Sequence, residues 1–192
     1  AETLGDRSVA IGNFALQVQN NTSNDDIYNT AVGYAAGAAM STGKQNTILG
    51  GFAGDDLTTG DNNIIIGYAA DTSAVGVDNE ITLGNGSNNA LRCQVTSITS
   101  LSDKRDKKDI KDSVYGLEFL ESLKPVTFEW DQRDGNRVGV KDVGFIAQDL
   151  QEVDDEYTRL VYESNPDKLE ATYGRLIPVL VKAIQDLSEE VK

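Results

Sequence analysis

The chain has no histidine and a single cysteine, Cys93, among its 192 residues. Without imidazole, Ser-His-Asp and Cys-His nucleophile systems are excluded, and so is a conventional zinc site. One cysteine cannot build an internal disulfide framework, and its expected role is that of a small filler. No cofactor and no metal are expected. Positive charge is also scarce: 17 Lys and Arg stand against 31 Asp and Glu, a net charge of −14 at pH 7. A nucleic-acid binder needs a basic face, so that partner class is excluded, and anionic membrane surfaces are disfavoured. No apolar run approaches the roughly 20 residues of a membrane span, so no membrane insertion is expected. Ala1-Glu2-Thr3 opens neither a basic region nor an apolar one, so no signal peptide is expected. The start reads instead as an internal segment of something longer.

What is abundant is glycine and asparagine at a fixed interval. Gly33, Gly50, Gly67 and Gly84 recur every 17 residues, each after a short β-prone run: Ala31-Val32, Ile48-Leu49, Ile65-Ile66, Thr82-Leu83. Asn29, Asn46 and Asn63 hold the same register four residues before these glycines. A looser copy, Ala10-Ile11-Gly12, stands 21 residues before Gly33. A short constant period of this kind marks a solenoid or stacked array. Phe14, Tyr34, Phe52 and Tyr68 follow the glycines and are expected to pack between rungs. The glycine–aspartate pattern of calcium-binding repeats is absent. So little apolar residue per repeat suggests several chains sharing one core.

From about Cys93 the sequence is mixed α and β. Val114, Leu117, Leu120 and Leu123 predict a helix with Asp112 or Ser113 as N-cap and Lys124-Pro125 as its stop. Val126, Phe128 and Trp130 alternate as a half-buried strand, with both rings assigned to the core. Asp134-Gly135-Asn136 signals a hairpin turn into Arg137–Val140. A further short strand is expected over Val143–Ile146, and weaker ones over Arg159–Tyr162 and Leu169–Tyr173. At the end, Ile177, Leu180, Ile184, Leu187 and Val191 are spaced 3-4-3-4, the seam of a coiled coil. Any amphipathic helix on a globular core shows the same stripe. Pro178 fits only the first helical turn, so the helix should begin near Arg175.

At the border of the two halves lies Ser102-Asp103-Lys104-Arg105-Asp106-Lys107-Lys108-Asp109-Ile110. Ser102 stands five residues before Lys107. In a chain without histidine, a serine that needs a base must look to lysine. A hydroxyl is too weak an acid to attack unaided at neutral pH. Lysine can accept its proton only where burial or neighbouring cations favour the neutral amine, and Lys104, Arg105 and Lys108 supply the cations. Taken alone, such a run is also an ordinary solvated loop or helix cap.

Three motifs in order carry a family resemblance. The Ser-Asp-x-Arg-x-Lys-x-x-Ile run at 102–110 resembles the start of the intramolecular chaperone auto-processing domain of phage tail fibres, tailspikes and endosialidases. Gly144-Phe145-Ile146-Ala147-Gln148-Asp149-Leu150 resembles its second hallmark, and Tyr173 to Leu187 its closing helix. The upstream repeats resemble trimeric fibre stalks and adhesin heads more loosely. The resemblance implies a homotrimer of intertwined chains. Residues 1–92 would form an all-β repeat, a trimeric β-solenoid or β-prism-like stalk. Residues 93–192 would form an α+β chaperone domain ending in a long coiled-coil-type helix. It implies a self-cleaving serine endopeptidase acting once on its own chain, between Leu101 and Ser102, with Ser102 as nucleophile and Lys107 as base. Asp103, Arg105 and Gln148 are candidate supporting residues, Arg105 and Gln148 for the oxyanion. The expected location is the virion tail fibre, with the host cytoplasm as the place of assembly and of the released chaperone. A host-surface receptor is left open for the mature fibre.

Two routes to the cut stay open. Ser102 Oγ can reach the Leu101 carbonyl through a five-membered ring, giving an N-to-O acyl shift, or the attack can come from another chain. The competing function is a fibre tip, structural or receptor-binding, that never cuts. A glycoside hydrolase would need a carboxylate pair, and no spacing singles one out.

Overall fold

Each glycine-closed apolar run forms one three-residue strand: β1 (Val9–Ile11), β2 (Thr30–Val32), β3 (Thr47–Leu49), β4 (Ile64–Ile66) and β5 (Ile81–Leu83). The structure is a computed structural model that describes residues 7–21, 26–95, 97–133, 135 and 137–192. The strands pair in parallel and in sequence order, with Ala10 beside Ala31, Ala31 beside Ile48, Ile48 beside Ile65 and Ile65 beside Thr82. Successive strands are therefore successive coils of a β-solenoid. It lies in the first of two units into which the chain divides, Ala1–Asn89 and Ala90–Lys192.

Side chains alternate along a strand, so the middle residue of each triplet points one way and its neighbours the other. Ala31, Ile48 and Ile65 point inward and are fully buried. Ala36, Ala53 and Ala70 after the strands, with Met40 and Leu57 beyond them, close the same interior. The sequence reading expected one core shared between several chains. Within one chain each coil also has an interior of its own, kept narrow by alanines. Phe14, Tyr34, Phe52 and Tyr68 do stack rung upon rung, but on the outside. Their rings meet edge to face, with centroids 5.6, 5.0 and 6.0 Å apart.

Two residue types hold the coils at one spacing. Asn46 Oδ1 accepts the backbone N–H of Asn63 at 2.9 Å, while its Nδ2 donates to Gly60 O at 2.8 Å. The same pattern links Asn29 to Asn46 and Asn63 to Glu80. These three asparagines are completely buried. Their amides satisfy backbone groups that would otherwise be buried without partners. Glycine answers a steric demand: Gly50 sits at φ +142°, and a Cβ there would lie 2.3 Å from Gly67 O on the next coil. Only glycine permits both the conformation and the approach.

Asp71 is half-buried within the solenoid unit, and its Oδ1 has no hydrogen-bond partner. Burial first, then the charges of Asp55 and Asp56, push its carboxyl up to about 6.

In the second unit, α1 (Leu117–Ser122) is followed by the antiparallel pair β6 (Val126–Asp131) and β7 (Val138–Gly144). Next come α2 (Ala147–Gln151), the short pair β8 (Val161–Tyr162) and β9 (Glu170–Ala171), and α3 (Leu176–Glu190). A 3₁₀ turn, Tyr173–Arg175, runs directly into α3 and leaves Pro178 in its first turn, as its ring requires. The core is small: Leu123, Leu150, Leu160 and Leu176, flanked by Phe119, Leu120 and Phe145.

Three expectations are corrected here. α1 begins after Gly116 rather than at Asp112 or Ser113, because its first N–H is capped from another helix, as described below. Val143-Gly144 is not a separate strand but the end of β7. Trp130 is only half-buried: it lies under the Arg137 guanidinium, 4.8 Å from the ring centre, and donates to Asp142 at 3.1 Å. In the predicted turn, Asp134 and Asn136 lie outside the described residues, while Gly135 has φ +76°. Among the described residues no helix is long and apolar enough to cross a membrane.

Asn46→Ala should cost about 3 kcal/mol of solenoid stability by chemical denaturation, since it strands the Asn63 N–H and the Gly60 carbonyl of the following coil. Asp71 gives a pH signature. Its folded-state value lies above the unfolded 3.8, so the folded chain binds the proton more tightly. Stability should fall as pH rises from about 4 to about 6, then level off. Allowing for solvent screening, the change is about 1 kcal/mol, and Asp71→Asn should abolish it in melts across that range.

Candidate functional site

The border motif folds as a short turn stabilised by its own charges. Asp103 has an extended backbone and caps the 3₁₀ turn Lys104–Asp106, accepting the Arg105 N–H at 2.8 Å. The Arg105 guanidinium forks back onto the same carboxylate, with Nε 3.1 Å from Oδ1 and a terminal nitrogen 2.6 Å from Oδ2. Those side-chain bonds, then the backbone one, hold the Asp103 carboxyl below its ordinary value. Arg105 is raised by the same contact.

The turn closes where Lys107 N–H meets Lys104 O at 3.2 Å, and the chain becomes extended again. This geometry brings residues five apart face to face. Lys107 Nζ lies 2.5 Å from Ser102 Oγ and 3.3 Å from the Ser102 carbonyl oxygen. Both side chains are exposed, and Leu101 before them is 99% exposed. No other helix or strand packs against the turn among the described residues. Hydroxyl, amine and the Leu101–Ser102 peptide are thus together, but nothing from elsewhere in the chain surrounds them. Arg105, an oxyanion candidate by sequence, is engaged with Asp103. Gln148 lies exposed on α2 and makes no hydrogen bond with the pair.

The other two motifs have structural duties that pattern reading did not assign. Gly144 is buried, and a Cβ there would stand 2.4 Å from the Tyr173 hydroxyl. That hydroxyl accepts the Phe145 N–H at 3.2 Å, and the Phe145 and Tyr173 rings meet edge to face at 5.7 Å. On α3, Leu176, Val179 and Ala183 form the buried face. Ile177, Leu180, Ile184, Leu187 and Val191 are all exposed. Asp186 pairs with Lys182 and accepts the Leu117 N–H at 3.1 Å, so it caps α1 from outside. Lys182 first and the Leu117 N–H second hold its carboxyl below the usual range. Gly116 is required beside it, since a Cβ would collide with Asp186 Oδ2. Capping across 69 positions leaves no local signal in the sequence. An open groove near Asp154, Arg159 and Arg175 contains no residue of the 102–110 run.

The chain is thus a parallel β-solenoid followed in sequence by a separate α+β unit, with a serine–lysine contact early in the second. Residues 102–161 match the model of a peptidase family described as chaperone of endosialidase. The match starts at Ser102 itself and includes Gly144–Leu150, but stops before Tyr173–Leu187. No curated protein and no solved structure matches the chain.

Asp186→Ala should remove the cap of α1 and lower the stability of the second unit by about 1 kcal/mol. A melt followed through the tertiary signal of Trp130 would register the loss; an unchanged midpoint would mean that the cap contributes nothing.

Proposed function

We propose that this chain is the C-terminal part of a phage tail fibre or tailspike. Its chaperone domain gathers three copies and then releases itself by cutting once between Leu101 and Ser102. The observation that carries this reading is the 2.5 Å contact between Ser102 Oγ and Lys107 Nζ, beginning at the first residue of the family match.

The chemistry balances within the chain and one water. Lys107, as the free amine, takes the hydroxyl proton while Ser102 Oγ adds to the Leu101 carbonyl carbon. The peptide C–N bond breaks as its nitrogen takes a proton from the lysine. The resulting Leu101 ester is hydrolysed by water, giving a Leu101 carboxylate and a new amino terminus at Ser102. The Asp103–Arg105 fork is the positioning device, because it fixes the turn that places Lys107. In a single chain the pair stands in water, where a lysine is a poor base. Neighbouring copies would supply both the desolvation and the missing oxyanion donors, which ties the cut to assembly.

Assembly itself is supported by the apolar side chains left outside. The exposed 3-4-3-4 face of α3 would be the seam joining three helices, a coiled coil at the end of the fibre. The small core of the second unit fits a domain completed by its neighbours. The mature part would reside in the virion and the released chaperone in the host cytoplasm. A second reading, a fibre tip that binds a host-surface receptor and never cuts, is favoured by the lack, among the described residues, of an oxyanion donor beside Ser102.

A denaturing gel decides between them. The wild type should give fragments 1–101 and 102–192, while Ser102→Ala and Lys107→Ala should remain at 20.7 kDa. Asp103→Ala should slow the cut about 10- to 100-fold and Asp103→Asn less, since the amide keeps an acceptor for the turn. A wild-type band that stays whole sinks the protease reading, and light scattering at monomer mass sinks the trimer.

A further inference from the structure

Among the described residues, nothing in its own unit covers the outer face of the solenoid sheet. The first and third residues of each strand point away from the interior and form two columns. Ile11, Val32, Leu49, Ile66 and Leu83 make one that is wholly aliphatic, and a second runs from Val9 to Ile81 through threonines. Most of these aliphatic side chains are exposed, Leu49 at 48% and Leu83 at 55%. No charge stands in either column, although the chain as a whole carries −14. Ile11, Leu49, Ile66 and Leu83 are exposed in one continuous column, and contiguous apolar surface of this kind marks a protein–protein contact.

We propose that this face is where copies of the chain pack their solenoids side by side, axes parallel. The proposal rests on the trimer reading given above and deepens it by naming a second contact surface, separate from α3. The occupant is a second copy for a geometric reason. The columns repeat at the spacing of hydrogen-bonded strands, about 4.8 Å, and another solenoid carries ridges at that same spacing. Its side chains can interleave on all five rungs at once. A carbohydrate would need hydrogen-bonding groups set among the apolar ones, and the aliphatic column has none. The aromatic column is satisfied by its own edge-to-face contacts and does not compete for the role.

Site-directed cross-linking of the full chain tests this. Cys93, exposed and free, is first replaced by serine. Leu49→Cys is then compared with Thr59→Cys, which lies in the loop between β3 and β4 of the same coil. Under mild oxidation, Leu49→Cys should give covalently paired chains on a non-reducing gel at least tenfold more than Thr59→Cys. Ile66→Asp, at an exposed, outward-pointing position that is not a member of the core cluster, should leave the circular dichroism unchanged and reduce the assembled mass in light scattering. Trimers that form without a Leu49→Cys cross-link, or that tolerate Ile66→Asp, overturn this interface while leaving assembly through α3 standing. A monomer at every concentration overturns both.

Discussion

A hydrogen bond passed from one asparagine side chain to the backbone of the next coil governs the first half of this molecule. Asn29, Asn46 and Asn63 each accept from the coil above and donate within it, in an interior from which water is excluded. A buried amide in that position costs free energy unless both its ends are satisfied, so the coils must stack at one separation. That separation brings backbone against backbone at Gly33, Gly50 and Gly67, where no side chain fits. It also keeps each strand at three residues, one pointing in and two pointing out. The uncovered apolar columns are thus a direct product of the ladder that stabilises the interior.

The second unit obeys a different rule. Its helices and hairpins close on few buried side chains, and its last helix has two apolar faces, one used within the chain and one outward. The Ser102–Lys107 contact sits on a turn held by its own Asp103–Arg105 fork, and among the described residues no other helix or strand packs against that turn.

Much of this was legible in the sequence because it was written as period or proximity. The 17-residue interval foretold the coils, and the buried asparagines kept the register in which they were read. The 3₁₀ turn between Ser102 and Lys107 explains how residues five apart come into contact. The errors share a cause. The start of α1 and the half-buried state of Trp130 depend on contacts with Asp186 and Arg137, which local patterning does not encode. The interior that each coil has within one chain was missed because alanines at 36, 53 and 70 read as too small to fill it, whereas a narrow solenoid requires small residues.

Glu80 occupies the place where the period calls for a fourth asparagine. Its backbone N–H still bonds to Asn63, but its carboxylate turns aside to the Ser73 hydroxyl and N–H. A carboxylate can only accept, so it has no N–H to offer a carbonyl of the following coil, as Asn29, Asn46 and Asn63 do. The amide ladder therefore ends at Asn63, and Glu80 closes it by bonding sideways to Ser73 rather than onward.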